Sequence, residues 1–186
     1  MKAVLLAAGM ASRLRPLTNS TPKCLLKIGE RTLLQRSMDA LIANGIRDFV
    51  IVTGYLHEMI ERFVAEQYAD TISVKYIHNS VYDSTNNIYS LWLARPEADN
   101  TDFLLLDSDL LYAEKIIYMV MNAGKPNVLT LIRHELGDEE MKVVTDNAGN
   151  ILCINKTCNP QDAAGESLGI ELIGKEYSAA LYRELD

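Results

Sequence analysis

Two aspartates follow the most apolar run of the chain. The run occupies residues 103–106, and Asp107 and Asp109 come directly after it. Because alternate residues of an extended chain point the same way, both carboxylates should lie on one side of the strand end. Paired carboxylate oxygens suit Mg²⁺, which keeps several waters and bridges to substrate phosphates. The alternative interpretation is a polar turn that closes a strand.

Small residues and then cations follow the first apolar run. Ala7, Ala8 and Gly9 form a small-residue turn, and Arg13 and Lys23 come next. Such a turn lets backbone N–H groups approach a nucleotide closely, while the two cations could offset the charge of a triphosphate. Taken alone, the pattern could equally be a tight turn with two solvated cations. No GxGxxG or Walker A pattern occurs, which argues against the usual dinucleotide and P-loop sites.

Two adjacent amides stand at the predicted start of a helix. Asn86 and Asn87 precede an apolar stripe that runs to Arg95, where Pro96 is predicted to end the helix. Amide side chains at a helix N-terminus could hydrogen-bond a pyrimidine edge or a ribose. The alternative is that Asn86 only caps the helix.

Apolar runs and amphipathic stretches alternate along the chain and must position these groups. Strands are predicted at 4–7, 49–52, 72–77, 103–106 and 128–132, and helices at 33–42, 57–67, 86–95 and 114–123. The alternation predicts an α/β, Rossmann-like, mainly parallel sheet with helices on both faces. Shorter strands at 142–145, 151–155 and 168–173 predict a small antiparallel appendage.

Composition limits the functional classes. The 186 residues fit one domain spanning 1–186, and a net charge of −7 argues against general affinity for nucleic acid or anionic membranes. No run approaches the ~20 apolar residues of a membrane span. Cys24, Cys153 and Cys158 lack the spacing of a zinc site, so reduced thiols of a cytoplasmic protein are expected. A homodimer stays open.

Residues 6–26 carry the most specific motif of the chain. They read L-A-A-G-M-A-S-R-L-R-P-L-T and, three residues later, P-K-C-L. This resembles the L-A-A-G-x-G-x-R-L-x-P-L-T-x-x-x-P-K-x-L signature of the nucleotidyltransferase family, which includes hexose-1-phosphate nucleotidylyltransferases and phosphocholine cytidylyltransferases. Ala11 replaces the second loop glycine. We therefore expect the backbone at Ala11 to avoid φ values that are costly for a residue with a Cβ.

The resemblance implies roles for the loop and the aspartates. In this family the Ala-Ala-Gly backbone contacts the base, the Arg and Lys contact the phosphates, and an Asp at the end of the same strand binds metal. The implied nucleotide contacts are Leu6, Ala7, Ala8, Gly9, Arg13 and Lys23. Asp109 takes the metal position and Asp107 a second metal or substrate contact, with Mg²⁺ as the cofactor. Lys23, Arg13 and Asp109 are the implied catalytic residues.

Later segments resemble the phosphocholine-type cytidylyltransferases. These proteins carry an Asn-rich helix start followed by Tyr-Ser-Leu, as here, where sugar nucleotidyltransferases have a glycine-rich stretch. Asn86, Asn87 and Ser90 are thereby implied in nucleotide binding. Residues 154–157 and 165–170 are similar to family segments that hold the second substrate. The resemblance implies that Lys156 holds the acceptor's phosphate and that Glu166 and Gly169 also lie at the acceptor.

The function implied by the resemblance is transfer of CMP from CTP to a small phosphorylated alcohol or amine, of the phosphocholine or 2-aminoethylphosphonate type, with release of pyrophosphate. The alternatives are a hexose-1-phosphate nucleotidylyltransferase and a catalytically inactive NTP-binding module. Met141 stands where choline-type members often place a Trp that could hold a quaternary ammonium. The family usually continues with an Asp-bearing segment that adds a metal ligand, which this chain is expected to lack or replace.

Overall fold

The computed structural model describes residues 1–186. The strands are β1 Lys2–Ala7, β2 Lys27–Ile28, β3 Arg31–Thr32, β4 Asp48–Thr53, β5 Ser73–His78, β6 Phe103–Asp107, β7 Val128–Ile132, β8 Lys142–Thr145, β9 Ile151–Asn155 and β10 Ala163–Ile173. The helices are α1 Leu33–Ala43, α2 His57–Tyr68, α3 Asn87–Leu93, α4 Arg95–Ala98, α5 Lys115–Met121 and α6 Lys175–Glu184. No helix combines the length and the apolar character that crossing a membrane requires.

Eight strands form one mixed sheet, in the order β5-β4-β1-β6-β10-β8-β9 with β7 paired to β10. The strands β5, β4, β1 and β6 are parallel, whereas β10 runs antiparallel to β6, β7 and β8. The predicted α/β fold with its antiparallel appendage is confirmed. The strands β2 and β3 form a separate two-stranded sheet.

Apolar side chains of the central strands cover both faces of the sheet. Ala3, Leu5 and Ala7 face the larger cluster, which includes buried residues of α1, α2 and α5. Val4, between them, faces a smaller cluster with α3, α4 and Tyr182 of α6. This alternation in a strand buried on both faces explains why the run at β1 is continuously apolar.

Three predicted elements differ from the structure. The segment 168–173 is the second half of the 11-residue strand β10, which lies between β6 and β7. The strand β7 therefore has the direction of β6 but does not pair with it. Pro96 does not end the preceding helix: α3 ends at Leu93, and Pro96 lies in the first turn of α4. A proline fits there because first-turn N–H groups have no intrahelical partner.

Candidate active site

The carboxyl ends of β1, β4, β5 and β6 lie along one edge of the sheet because these strands are parallel. The chain passes from β1 to β4 and β5 on one side, then crosses to β6 on the other side of β1. Such a reversal of strand order opens a crevice where open α/β sheets bind ligands. Ala8 and Gly9 follow β1, and Asp107 ends β6 beside Leu6, so the predicted nucleotide and metal groups meet at this crevice.

Lys23 and Asp109 form an ion pair at the crevice. Lys23 opens the 3₁₀ turn Lys23–Leu25, which places its side chain opposite the end of β6. The side chains of Lys23 and Asp109 remain 37% and 31% exposed. Partial exposure leaves both groups able to exchange partners, so the ammonium can meet a phosphate and the carboxylate a metal ion. The structure thus joins the predicted phosphate ligand to the predicted metal ligand.

Asp107 is hydrogen-bonded to the start of α3. Its Oδ1 accepts a hydrogen bond of 3.0 Å from Nδ2 of Asn87. Burial and the charge of Asp109 raise the pKa of Asp107 to about 6, against the opposing effect of Lys23. A cation bound at the two aspartates would favour their ionised forms.

The strand β10 passes close to Asp107 at Gly169. The φ angle of Gly169 is +76°, and a Cβ at this position would lie 2.6 Å from Oδ2 of Asp107. Glu171 lies two residues further along, where burial and the charge of Asp107 raise its pKa to about 7. Gly169, predicted to contact the acceptor, therefore lies against the predicted metal ligand.

A bridging carboxylate brings Arg13 and Lys156 together. Oε2 of Glu139 lies 3.0 Å from Nζ of Lys156 and 3.9 Å from Nη1 of Arg13. The bond from Lys156, with the charges of both cations, lowers the pKa of Glu139. Arg13 belongs to the predicted phosphate loop and Lys156 to the predicted acceptor segment, so Glu139 lies between the two predicted substrate regions.

Ala11 corrects the expectation made for this loop. Its φ of +47° and ψ of +47° lie in the left-handed region, so the prediction that Ala11 avoids costly φ values is wrong. Hydrogen bonds within the loop accompany this conformation: the Ala11 carbonyl oxygen accepts bonds from the N–H of Leu14 and from Oγ1 of Thr18, both at 3.0 Å. The Tyr55 hydroxyl donates to the carbonyls of Thr18 and Asn19 at 2.9 Å, which ties the loop to the end of β4.

The predicted nucleotide-binding amides have distinct local partners. Oδ1 of Asn86 accepts from the N–H groups of Ile88 and Tyr89 and so caps α3. Asn87 donates to Asp107, as described above. Ser90 is buried, and its hydroxyl accepts a 3.2 Å bond from Nδ2 of Asn79. The start of α3 is thus fastened both to β6 and to the segment after β5, facing the crevice beside β1.

Glu166, the remaining predicted acceptor residue, pairs with His134. Oε2 of Glu166 lies 2.8 Å from Nε2 of His134, whose Nδ1 lies 2.7 Å from the carbonyl oxygen of Glu135. With an acceptor atom at each ring nitrogen, the protonated imidazole is favoured, and both contacts raise the pKa of His134. Sequence reasoning gave His134 no role because its partner lies 32 positions away.

The donor atoms at the crevice fit a hard divalent cation. Asp107 and Asp109 supply carboxylate oxygens next to Lys23, and no cluster of three or more His, Cys, Asp or Glu side chains could hold a metal without help. Mg²⁺ commonly binds one or two carboxylates and completes its shell with water and substrate phosphate. The arrangement therefore fits a cation shared with a phosphate ligand.

Sequence reasoning missed three residues that shape this site. Glu139 bridges two cations, Tyr55 bonds to the predicted phosphate loop, and Asn79 bonds to Ser90 of α3. The partners of Glu139 and Tyr55 are 17 to 126 positions distant in the chain, so no local pattern marks these two residues. Asn79 carried the one usable signal, since it lies two residues after the strand predicted at 72–77 and directly follows the observed β5.

Residues 2–140 match the family described as nucleotidyl transferase. The chain belongs to this family. It is 34% identical over 155 residues to choline-phosphate cytidylyltransferase of Haemophilus influenzae, and the match covers 83% of this chain and 62% of the relative. The match with choline-phosphate cytidylyltransferase of Streptococcus pneumoniae has 38% identity over 109 residues, covering 59% of the chain and 44% of the relative. The chain thus spans less than two thirds of either relative.

The fold of this family member also matches a solved structure. CTP:phosphocholine cytidylyltransferase from Streptococcus pneumoniae superposes with a TM-score of 0.79 at 27% identity, covering 100% of the chain and 75% of that protein. The likeness includes the antiparallel strands after Ile132, all of which lie beyond the family match at 2–140.

Proposed function

We propose that this nucleotidyl transferase family member is a cytidylyltransferase that transfers CMP from CTP to a small phosphorylated alcohol or amine and releases pyrophosphate. One observation carries the proposal: the Lys23–Asp109 pair lies at the reversal of strand order, beside Ala8–Gly9 and Asp107. The relatives named for choline phosphate support the acceptor class.

The proposed reaction is in-line attack by a phosphate or phosphonate oxygen of the acceptor on the α-phosphorus of CTP. One P–O bond forms, the bond to the β-phosphate breaks, and pyrophosphate leaves with the electron pair. An ionised phosphate oxygen needs no general base, so catalysis depends on positioning and on charge neutralisation. Lys23 and Arg13 would neutralise the triphosphate, and Lys156 would hold the acceptor's phosphate close to Arg13.

Mg²⁺ is the cation proposed for Asp109 and Asp107, where it would neutralise charge on the phosphates. In this reaction Lys23 would leave its pairing with Asp109 and turn to a phosphate oxygen, since a triphosphate brings more negative charge than one carboxylate. Asn87 would keep Asp107 oriented through the bond already formed. Glu139 would give up Lys156 to the acceptor's phosphate.

Cytidine preference is proposed from the start of α3, where Asn86 and Asn87 follow the pattern of the phosphocholine-type enzymes. Asn86 retains its amide N–H₂ as a donor, because only its Oδ1 is used in capping the helix. Its neighbour Asn87 lies at the crevice through the bond to Asp107, and the free Asn86 donor would bind a pyrimidine carbonyl placed at this helix start.

Pyrophosphate release with CTP and Mg²⁺ tests the proposal across phosphocholine, 2-aminoethylphosphonate, glycerol phosphate, inositol phosphate and hexose-1-phosphates. We expect turnover with a phosphorylated alcohol or amine, and faster turnover with CTP than with UTP, GTP or dTTP. Faster turnover of a hexose-1-phosphate with another nucleotide would identify a sugar nucleotidylyltransferase. CTP binding without turnover of any acceptor would identify an inactive binding module.

A further inference from the structure

Lys142 is a charged side chain enclosed by the protein. It lies on β8 with only 1% of its surface exposed. Its Nζ donates to the carbonyl oxygen of Lys156 at 2.6 Å and lies 3.5 Å from the carbonyl oxygen of Glu140. No carboxylate pairs with this ammonium group among the ion pairs of the structure.

The position of Lys142 links the predicted acceptor residues. In the sheet it stands opposite Asn155 of β9 on one side and Glu166 of β10 on the other. The turn that carries Lys156 begins directly after Asn155. Lys142 is therefore the residue of β8 that lies between the two segments assigned to the acceptor.

Stability alone is a poor explanation for such a lysine. Removing an ammonium group from water is costly, and an unbranched apolar side chain of similar length would fill the same space without that cost. What the ammonium adds is a charge-assisted hydrogen bond to a chosen carbonyl, which is stronger and more directional than packing. The Lys156 carbonyl, at 2.6 Å, is the group that receives it.

We propose that Lys142 is a positioning residue that fixes the backbone of Lys156 so that the Lys156 ammonium faces the acceptor's phosphate. The inference rests on the proposed function. Lys142 contacts the carbonyls of Glu140 and Lys156, while the side chains of Glu139 and Lys156 meet at 3.0 Å. One buried cation thus contacts the backbone of both segments that carry the Lys156–Glu139 ion pair.

The test compares Lys142→Met with Lys2→Met. Lys2 also donates to a backbone carbonyl, that of Glu97, but it begins β1 at the opposite end of the strand from the crevice. We expect Lys142→Met to raise the KM for the acceptor at least about tenfold, with the Kd for CTP changed less than about twofold, since only the acceptor lysine is misplaced. Lys2→Met should change neither constant.

A double variant separates positioning from a general structural effect. If Lys142 acts through Lys156, Lys142→Met should not raise the acceptor KM further in the Lys156→Ala background. An additive increase, an unchanged KM in a folded single variant, or an equal loss in CTP affinity would each overturn the proposal. If Lys142→Met does not fold, Lys142→Gln retains an N–H donor and should show the same split at reduced size.

Deuterium exchange gives a readout that needs no turnover. Lys142→Met should increase exchange at residues 139–141 and 156–158 while exchange in β1, β4 and β6 stays at wild-type rates. Faster exchange throughout the sheet, or unchanged exchange in both segments, would refute a positioning role. This measurement decides the role of Lys142 even if the wild-type protein transfers no nucleotide, an outcome that would reject only the proposed function.

Discussion

The Asp109 carboxylate pairs with Lys23 in the structure and would bind a divalent cation in the proposed reaction. Asp109→Asn keeps the shape of the side chain but removes the charge that a hard cation requires. We expect pyrophosphate release to be lost while the unfolding midpoint stays close to wild type. Asp70→Asn, at an exposed aspartate outside the site, is the control. Near-normal turnover of Asp109→Asn at saturating Mg²⁺ would place the cation elsewhere.

Ala11 provides a second test at the same scale. A left-handed backbone costs about 1–2 kcal/mol for a residue with a Cβ, whereas glycine adopts it freely but loses entropy on folding. Ala11→Gly should therefore raise the free energy of unfolding by up to about 1 kcal/mol, measured by denaturant titration. Ala148→Gly, at an exposed turn alanine without positive φ, should lower it. Destabilisation by Ala11→Gly would show that this alanine is not strained.

Ala11 also shows where residue-level prediction fails. A missing glycine predicted an ordinary backbone, yet the alanine adopts the glycine conformation, accompanied by hydrogen bonds from Leu14 and Thr18. The Lys23 and Asp109 assignments came from the resemblance to family motifs, whose positions lie close together in the sequence. Glu139 could not be assigned from the sequence, because its partners Arg13 and Lys156 lie 126 and 17 positions away. Only the folded chain brings them close to its carboxylate.

At the scale of elements, β10 determines how the acceptor side joins the nucleotide side. Its first half pairs with β8 and its second half with β6, and the register shifts between Ser167 and Glu171. Gly169 lies within that shift and faces Asp107. The bend thus sends one strand from the proposed acceptor segment to the proposed metal-binding edge, and bulges are common near active sites.

Gly169→Ala tests this bend. The new Cβ would combine the cost of a positive φ with a 2.6 Å contact to Asp107, so Asp107 must move. Gly149→Ala is a matched control, because Gly149 has a φ of +81° but no atom within 4 Å of its Cβ position. Gly149→Ala should lose about 1–2 kcal/mol of stability, and Gly169→Ala at least as much. We expect Gly169→Ala alone to lose at least about tenfold in kcat/KM; equal activity in the two variants would refute the role of the bend.

The central parallel strands could be predicted from the sequence, whereas the pairing of β10 with β6, β7 and β8 could not. The apolar runs at β1, β4 and β6 are buried on both faces and stand out in the sequence. The strand β10 begins with Ala163–Gly165, small residues that give no apolar alternation, so only its second half was predicted. It lies between β6 and β7 because it pairs with both strands. This pairing joins residues far apart in the sequence, so the local pattern around β7 does not predict it.

At the scale of the whole molecule, buried carboxyls make stability depend on pH. Burial and Asp107 raise the pKa of Glu171 from 4.5 to about 7 in the folded protein. In the unfolded chain Glu171 ionises at lower pH than in the folded protein. The free energy of unfolding therefore falls as pH rises from 4.5 to about 7 and does not recover at higher pH. Asp107 adds a loss of the same sign between 3.8 and about 6.

Glu171→Gln should remove most of this dependence. At pH 8 we expect the free energy of unfolding of the variant to exceed that of wild type by roughly 1–2 kcal/mol. Near pH 4 the two free energies should be similar. The measurement is the free energy of unfolding at several pH values. A variant that is less stable than wild type at pH 8 would show that Glu171 is ionised and held by a favourable contact.

The most direct test of nucleotidyl transfer at this crevice is kcat/KM for pyrophosphate release from CTP by Lys23→Met, measured with the most active acceptor. Losing one charge-assisted contact to the triphosphate costs ~1.5–3 kcal/mol, which predicts a tenfold to roughly 150-fold decrease. Lys27→Met, at an exposed lysine of β2, should leave kcat/KM unchanged, and both variants should unfold at the wild-type midpoint. Wild-type kcat/KM in folded Lys23→Met would contradict the account, because the cation at the reversal of strand order would then not meet the nucleotide.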